Sequence, residues 1–334
     1  MAAAPAEAGT EVALPARRSR IPGRDAIRAT AGFQRGMLAA GAVIVLIFIL
    51  LALLAPLIAP YDFSQNASGG QTFVFGQAPS SAHWFGTATS SGYDVFSRVV
   101  YGARTALEVV VLAVIFSIVV GVPLGLVSGY RGGWLDRVLV LITDALFSFP
   151  SLLLAIIISI TVAGGQSSSS GGILSASIAI TVVYVPQYFR VVRNATVAAR
   201  EEPYVEAARA AGASPWAIMT RYVFNNVVQS VPVIATLNAG DAILTLAGLG
   251  FLGFGIEPSS ASEWGYDLNK ALSDTTNGVW WTGVFPGVAI VALVVGLTLV
   301  GESLNDVLNP LLRTAKLAPV VLPAPGQREE GALP

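Results

Sequence analysis

Long apolar runs separated by short polar ones dominate the chain. A helix needs roughly 20 apolar residues to cross ~30 Å of hydrocarbon, and the runs 37–59, 105–128, 138–163, 173–191, 227–251 and 283–303 meet that length. The first is uninterrupted from Met37 to Ala59 and stops at Pro60. The fourth follows the Gly/Ser-rich loop Gly164–Gly172 and meets Pro186 near its end. This pattern predicts an all-α polytopic membrane protein with six transmembrane helices.

Between the fourth and fifth runs lies a polar island, Glu201–Asn226, which reads as two short helices around a bend. Pro203 suits a first helical position, where a missing N–H costs nothing, and Glu201 and Glu202 sit at the positive end of that helix. Ala207, Ala208, Ala210 and Ala211 are strong helix formers. Gly212 supplies the left-handed residue that ends helices, and Ser214 with Pro215 starts the next one. A short alanine-rich helix held at a membrane surface offers a flat face of small residues on which another protein can close. The stretch therefore reads as a docking element, with an ordinary amphipathic surface helix as the plainer alternative.

Composition fits a membrane protein: 54% hydrophobic, 12% charged, mean hydropathy +0.68. The net charge of −1 excludes a nucleic-acid role resting on overall basicity. The absence of cysteine removes disulfides, thiolate catalysis and cysteine-based zinc sites, and the single histidine, His83, reads as a loop residue. Neither lysine, Lys270 nor Lys316, follows a glycine as a nucleotide-binding phosphate loop requires, so any ATP use belongs to another chain. Residues 1–36, with Arg17, Arg18, Arg20, Arg24, Arg28 and Arg35, read as a solvated, disordered tail without signal-peptide organisation.

Basic residues set an expected orientation. With the N-terminus inside, the inner segments hold the tail arginines, Arg131, Arg137, Arg190, Arg193, Arg200, Arg209, Arg221, Arg313, Lys316 and Arg328, against only Arg98, Arg104 and Lys270 outside. The island at 201–226 then lies in the cytoplasm. The outer loops 61–104 and 252–282 are long and polar, suited either to meeting a delivery protein or to acting as lids.

Glu206-Ala207-Ala208, three residues, then Gly212 resembles the EAA loop of ATP-binding-cassette importer permeases, the helix that seats in the ATPase subunit. The wider run Tyr204–Ser214 is similar to the dipeptide/oligopeptide/nickel permease family, second-subunit type. His83–Thr87, Gly92–Arg98, Gly102–Leu107, Gly129–Asp136, Asp144, Phe149-Pro150, Phe251–Gly255, Trp264-Gly265, Trp280-Trp281, Phe285–Gly287 and Leu304–Pro310 extend the likeness over about residues 80 to 312. Departures fall at Ala88, Tyr93 and Leu246, and at Tyr222 and Asn225, where the family has histidine and proline; the lost proline puts the exit angle of the second short helix in question.

The resemblance implies a type I ABC importer (MetI-like) permease core at 104–304, a peripheral first helix at 37–60, an outer loop at 61–103 and a cytoplasmic tail at 305–334. It further implies a cytoplasmic (prokaryotic inner) membrane location with both termini cytoplasmic, and a homologous second permease subunit as heterodimer partner. Two ATPase subunits or domains carrying ATP and Mg, and an extracytoplasmic solute-binding protein, complete the implied assembly. Tyr204, Glu206, Ala207, Ala208, Arg209, Gly212 and Ser214 would couple to the ATPase. The chain itself would be a transport subunit without catalytic, cofactor or metal site. Short peptides are the implied cargo, with nickel or another small solute as the alternative.

Glu108, Asp144 and Asp241 fall within predicted spans, where ionisable groups face a cavity or a partner. Asp241 either faces the pathway and meets a cationic peptide terminus or makes a helix contact with Asn238. Glu108 lies near the outer interface, and Asp144 has Arg137 two turns back as a candidate partner. Glycines 240, 248, 250, 253 and 255 suit either a gate or, more plainly, packing against the second subunit. A proton-coupled secondary transporter using the three acids is the rival reading, but it leaves 201–226 without a role. An enzyme lacks any histidine pair, cysteine or paired carboxylates; a scaffold would leave the acids idle.

Overall fold

The computed structural model describes residues 32–162 and 172–308. The N-terminal arginines up to Arg28, most of the 164–172 loop and the end of the chain from Asn309 lie outside the described residues. In chain order come α1 (Gly32–Leu53), α2 (Ala55–Ile58), a hairpin of β1 (Ala67–Ser68) and β2 (Gln71–Thr72), then α3 (Val95–Arg131), α4 (Gly133–Ser148), α5 (Ser151–Val162) and α6 (Gly172–Ala199). They are followed by α7 (Pro203–Ala210), α8 (Pro215–Ala217), α9 (Phe224–Val227), α10 (Val231–Phe251), α11 (Trp264–Thr276) and α12 (Trp281–Leu308). Five helical stretches are long and apolar enough to cross a membrane: most of α1, α3, α6, the run Pro215–Phe251, and α12 to Asn305. The pair α4–α5, bent by 101°, makes a sixth if it is counted as one span.

That bend corrects the single helix expected at 138–163. Phe149 is extended, with φ −77 and ψ 141, because the ring of a following proline clashes with a helical predecessor. Pro150 also has no N–H to continue the ladder. Pro186, by contrast, does not end its helix: α6 runs through it to Ala199, since a membrane helix tolerates one missing hydrogen bond where neighbours cover the gap. Among the described residues the β1–β2 hairpin and an isolated antiparallel bridge between Thr87 and Asp94 are the exceptions to helical structure.

The centre of the structure is the pair α3–α6. Gly121, Gly125 and Gly129 form an edge on α3 against which the α6 backbone lies. A Cβ there would stand 2.9 Å from the Val185 carbonyl oxygen, 2.6 Å from that of Phe189 and 2.7 Å from that of Arg193. Further along, Ser177 and Thr181 of α6 donate to the carbonyls of Val109 and Ala113, at 3.4 Å each. Small residues allow this backbone-to-backbone approach, which dispersion and interhelical hydrogen bonds stabilise in lipid.

Around this pair one apolar cluster gathers Val109, Ile180, Ile243, Leu246, Leu293 and Trp264, and a second near α7 gathers Val192, Val205, Ile218 and Val223. Helix α1 lies against α12 where Gly41 meets Gly296, and leaves Leu46, Ile47 and Leu53 exposed, as befits a peripheral helix.

At one end of the bundle the segment 59–94 and α11 fold into a cap. His83, expected as a plain loop residue, is buried with Nδ1 2.9 Å from Asp94 Oδ1. The other oxygen of Asp94 accepts from the Ser97 N–H and starts α3. Arg98 is buried and paired with Asp267 at 2.7 Å. The Glu263 carboxyl accepts from the N–H groups of Gly265 and Tyr266 and so caps α11. Gly250 sits directly against that carboxyl and Gly248 against Leu152. Gly248 and Gly250 thus lie against side chains of this chain.

The α3–α6 contact predicts that Gly125→Leu lowers stability by about 1–3 kcal/mol, the usual cost of overpacking. Gly36→Leu, at a position facing open space, should leave the melting curve of the purified protein unchanged; equal curves for both variants would contradict this account of the core. The cap makes a second prediction. Burial pushes the Glu263 carboxyl up to about 8 against the pull of its two N–H donors, and likewise raises Asp267 against Arg98. A folded-state pKa above the ordinary glutamate value of 4.5 means a stabilising contribution that is whole below that pH and is lost progressively as pH rises towards about 8. Hydrogen exchange at Gly265 and Tyr266, corrected for its intrinsic rate, should therefore accelerate between roughly pH 5 and 8 and level off above that. In Glu263→Gln that acceleration should vanish.

Candidate coupling surface and membrane cavity

The end opposite the cap is built around α7. Pro203 occupies its first turn, and its last turn closes through Gly212, whose φ is +81. The Gly212 N–H donates to the Arg209 carbonyl and the Ala213 N–H to the Ala208 carbonyl, both at 3.0 Å. This is the two-bond closure that a left-handed residue permits. Nothing lies within 4 Å of a Cβ placed on Gly212, so glycine is required there for its backbone alone. Ser214 Oγ then accepts from the Ala217 N–H at 3.3 Å and opens α8.

The seven residues expected to couple do not share one face. Val205 and Ala208 are buried against Ile218, Met219 and Val223, whereas Tyr204, Glu206, Ala207, Arg209, Gly212 and Ser214 are exposed. Ala208 is thus an anchor and the others form the presented surface. Trp216 joins that surface, 69% exposed. The sequence carried its signal, a tryptophan in a polar turn, since exposed tryptophans often anchor interfaces.

The second short helix is not a separate element. From Pro215 the chain stays helical to Phe251, through a π-helical turn at Ile218–Val223 and a 3₁₀ turn at Val228–Ser230. Asn225, standing where the family has proline, keeps its backbone N–H and its side chain donates to the Arg221 carbonyl at 2.9 Å.

Side chains fasten this end to the bundle. Arg193 holds Asp136 with two parallel bonds, Nε to Oδ1 at 2.6 Å and Nη2 to Oδ2 at 2.7 Å, and Ser128 donates to the same carboxylate at 2.5 Å. Arg200 donates to the Gly129 carbonyl at 2.8 Å. Asn226 donates to the Tyr204 hydroxyl at 2.6 Å, tying α7 to the start of the long helix.

The three membrane acids part company. Glu108 is half exposed and paired with Arg104 one turn away at 3.0 Å. Asp144 pairs with Arg190 at 2.9 Å and not with Arg137, because α6 lies alongside α4 and brings Arg190 within reach; the Arg190 guanidinium also lies over the Phe147 ring. Asp241 makes no side-chain hydrogen bond to Asn238: Asn238 is buried, with its amide unpaired among the described residues, while Asp241 is exposed. The Asp241 carboxylate opens instead into a cavity of ≈ 450 Å³ in the angle between α4 and α5, lined by Phe147, Phe149, Tyr184, Gln187 and Thr245. Glu302, a further acid near the end of the last apolar run, is exposed on α12. Among the described residues no group of acids and histidines is arranged to hold a metal.

Comparison with known proteins gives two family matches. Residues 121–314 match the family described as binding-protein-dependent transport system inner membrane component. Residues 33–79 match the N-terminal TM domain of oligopeptide transport permease C. A dipeptide transport system permease protein of Alkalihalophilus pseudofirmus is 38% identical over 277 residues, covering 82% of this chain and 86% of that protein. A glutathione transport system permease protein of Pectobacterium atrosepticum is 35% identical over 281 residues, 84% of this chain and 89% of its own length. One from Escherichia coli is 37% identical over 280 residues, 84% and 88% respectively.

The Arg193–Asp136 pair predicts a measurable coupling. In a double-mutant cycle of Arg193→Met and Asp136→Leu, each single change should destabilise more than the pair, with an interaction of about 1–2 kcal/mol in thermal or denaturant unfolding. Additive effects would show the two bonds to be incidental.

Proposed function

The chain belongs to the family of binding-protein-dependent inner membrane transport components, and we propose that it is the permease subunit through which such an importer moves short peptides. Membership makes it a multi-pass inner membrane transport subunit of an ABC importer rather than an enzyme, and members of that family work with ATPases, a binding protein and a second permease subunit. Its finer role is our own reading.

The presented face of α7 supports it. A rigid alanine-rich helix, closed by Gly212 and anchored through Val205 and Ala208, offers Tyr204, Glu206, Ala207, Arg209, Gly212 and Ser214 to a groove on an ATPase. The excess of arginine near this end supports a cytoplasmic position for it and for both termini. ATP and Mg then bind on two partner ATPases, with no cofactor on this chain. The cap at the far end meets the peptide-loaded binding protein, and a homologous second permease subunit completes the pathway. Alternating access follows from ligands that favour one arrangement over the other. Peptide is the cargo we favour because the named cargoes of the compared permeases, a dipeptide and glutathione, are short peptides.

Gly212→Pro cannot adopt a φ of +81, and Glu206→Lys reverses an exposed charge on the presented face. Each should lower peptide-stimulated ATPase activity and uptake of the reconstituted assembly by on the order of tenfold, with the subunit still inserted. Crosslinks from cysteines placed at Ala207 or Ala210 should reach an ATPase. Wild-type coupling in both variants, or crosslinks that reach no ATPase, would overturn the assignment.

A further inference from the structure

From the cavity between α4, α5, α6 and α10 we infer that Asp241 is the subsite for the protonated amine of the cargo within the membrane. Identifying that amine as a peptide's N-terminus rests on the function proposed above; the preference of the cavity for cations does not.

A carboxylate facing hydrocarbon is costly, so an acid in a spanning helix faces water, a partner or a passing ligand. Glu108 and Asp144 have arginine partners, but Asp241 has neither an ion-pair nor a hydrogen-bond partner for its carboxylate among the described residues. Its surroundings are arranged for a small amphipathic ligand. The Tyr184 hydroxyl and Thr245 Oγ1 lie 3.2 Å apart on the facing helices, and the Gln187 amide stands one turn further along α6. Phe147 and Phe149 line the cavity from the bend.

The bend at Phe149–Pro150 creates this room, because a straight helix would fill it with side chains. The single formal charge on the lining is the negative one of Asp241. Towards α7, the α6 face continues into Arg190, which is held by Asp144 and covers Phe147. A positive group leaving Asp241 in that direction therefore meets a neutralised pair and not a free arginine.

The natural absence of cysteine allows a direct test in the full assembly, with partner chains also made cysteine-free. Leu244 lines the cavity and is half exposed. Leu244→Cys should react faster with a trimethylammonium methanethiosulfonate than with its sulfonate counterpart, by about three- to tenfold after each rate is divided by its rate with a free thiol. That preference should disappear when Asp241→Asn is added. In parallel, uptake of a free-amine tripeptide at subsaturating concentration should fall about ten- to a hundredfold in Asp241→Asn. It should fall further in Asp241→Lys and largely survive in Asp241→Glu, with the subunit still inserted and assembled.

Equal normalised labelling by the two reagents would overturn the cation subsite, as would wild-type uptake in Asp241→Lys. Should the asparagine variant fail to assemble, the labelling ratio of Leu244→Cys alone still decides. If the unaltered assembly imports no peptide yet keeps the cationic preference, the peptide reading fails and the subsite stands.

Discussion

The α3–α6 contact is the constraint from which the rest of the structure follows. In lipid there is no hydrophobic gain in bringing two helices together, so they associate by close packing and internal hydrogen bonds. Three glycines four residues apart on α3 remove the side chains that would hold the α6 carbonyls away. Once the two backbones touch, the registry of α6 is set. Tyr184 and Gln187 then line the cavity, Arg190 and Arg193 stand beside the acids of α4, and Arg200 reaches the Gly129 carbonyl.

The two ends of the bundle are built on different terms. The cap buries ionisable side chains: His83, Asp94, Arg98 and Glu263 are each at most 4% exposed, and each has a partner or a capped helix end to offset the cost of desolvation. The α7 end keeps its ion pairs partly wet and presents small residues outward. A buried polar network specifies one arrangement, whereas a surface with few deep charges can be gripped and released. Gly250 links the cap to α10 by letting the Glu263 carboxyl approach its backbone. The position of α11 is therefore tied to the helix that carries Asp241.

What the sequence made legible was governed by local physics. The six apolar runs follow from bilayer thickness, and the closure of α7 at Gly212 follows from a backbone angle that other residues rarely adopt. The N-cap at Ser214 is equally local. Features that depend on distant residues were hidden. Asp144 finds Arg190, 46 residues away, rather than Arg137, because only packing decides which arginine is near. The bend at Phe149–Pro150 lies inside an apolar run whose composition never changes, so hydropathy cannot see it, although the proline was visible. The start of α3 at Val95, ten residues before the apolar run, was obscured because Arg98 and Arg104 look like loop residues until their acid partners are placed.

Chain connectivity gives these parts a mechanical relation. Helix α7 sits between α6 and the long helix Pro215–Phe251, and both run back to the cavity, one bearing Tyr184 and Gln187, the other Asp241 and Thr245. Val205 and Ala208 lock α7 to the second apolar cluster, and Asn226 ties it to Tyr204. The exposed face of α7 is thus joined to both walls of the cavity by packed helices and two short turns, 200–202 and 211–214. Within the long helix Pro215–Phe251 the irregular stretch is the π-helical and 3₁₀ region between Ile218 and Ser230. Such irregular turns have poorer backbone hydrogen-bond geometry than an α-helix, so the least regular part of the long helix lies between α7 and Asp241, away from the α3–α6 contact.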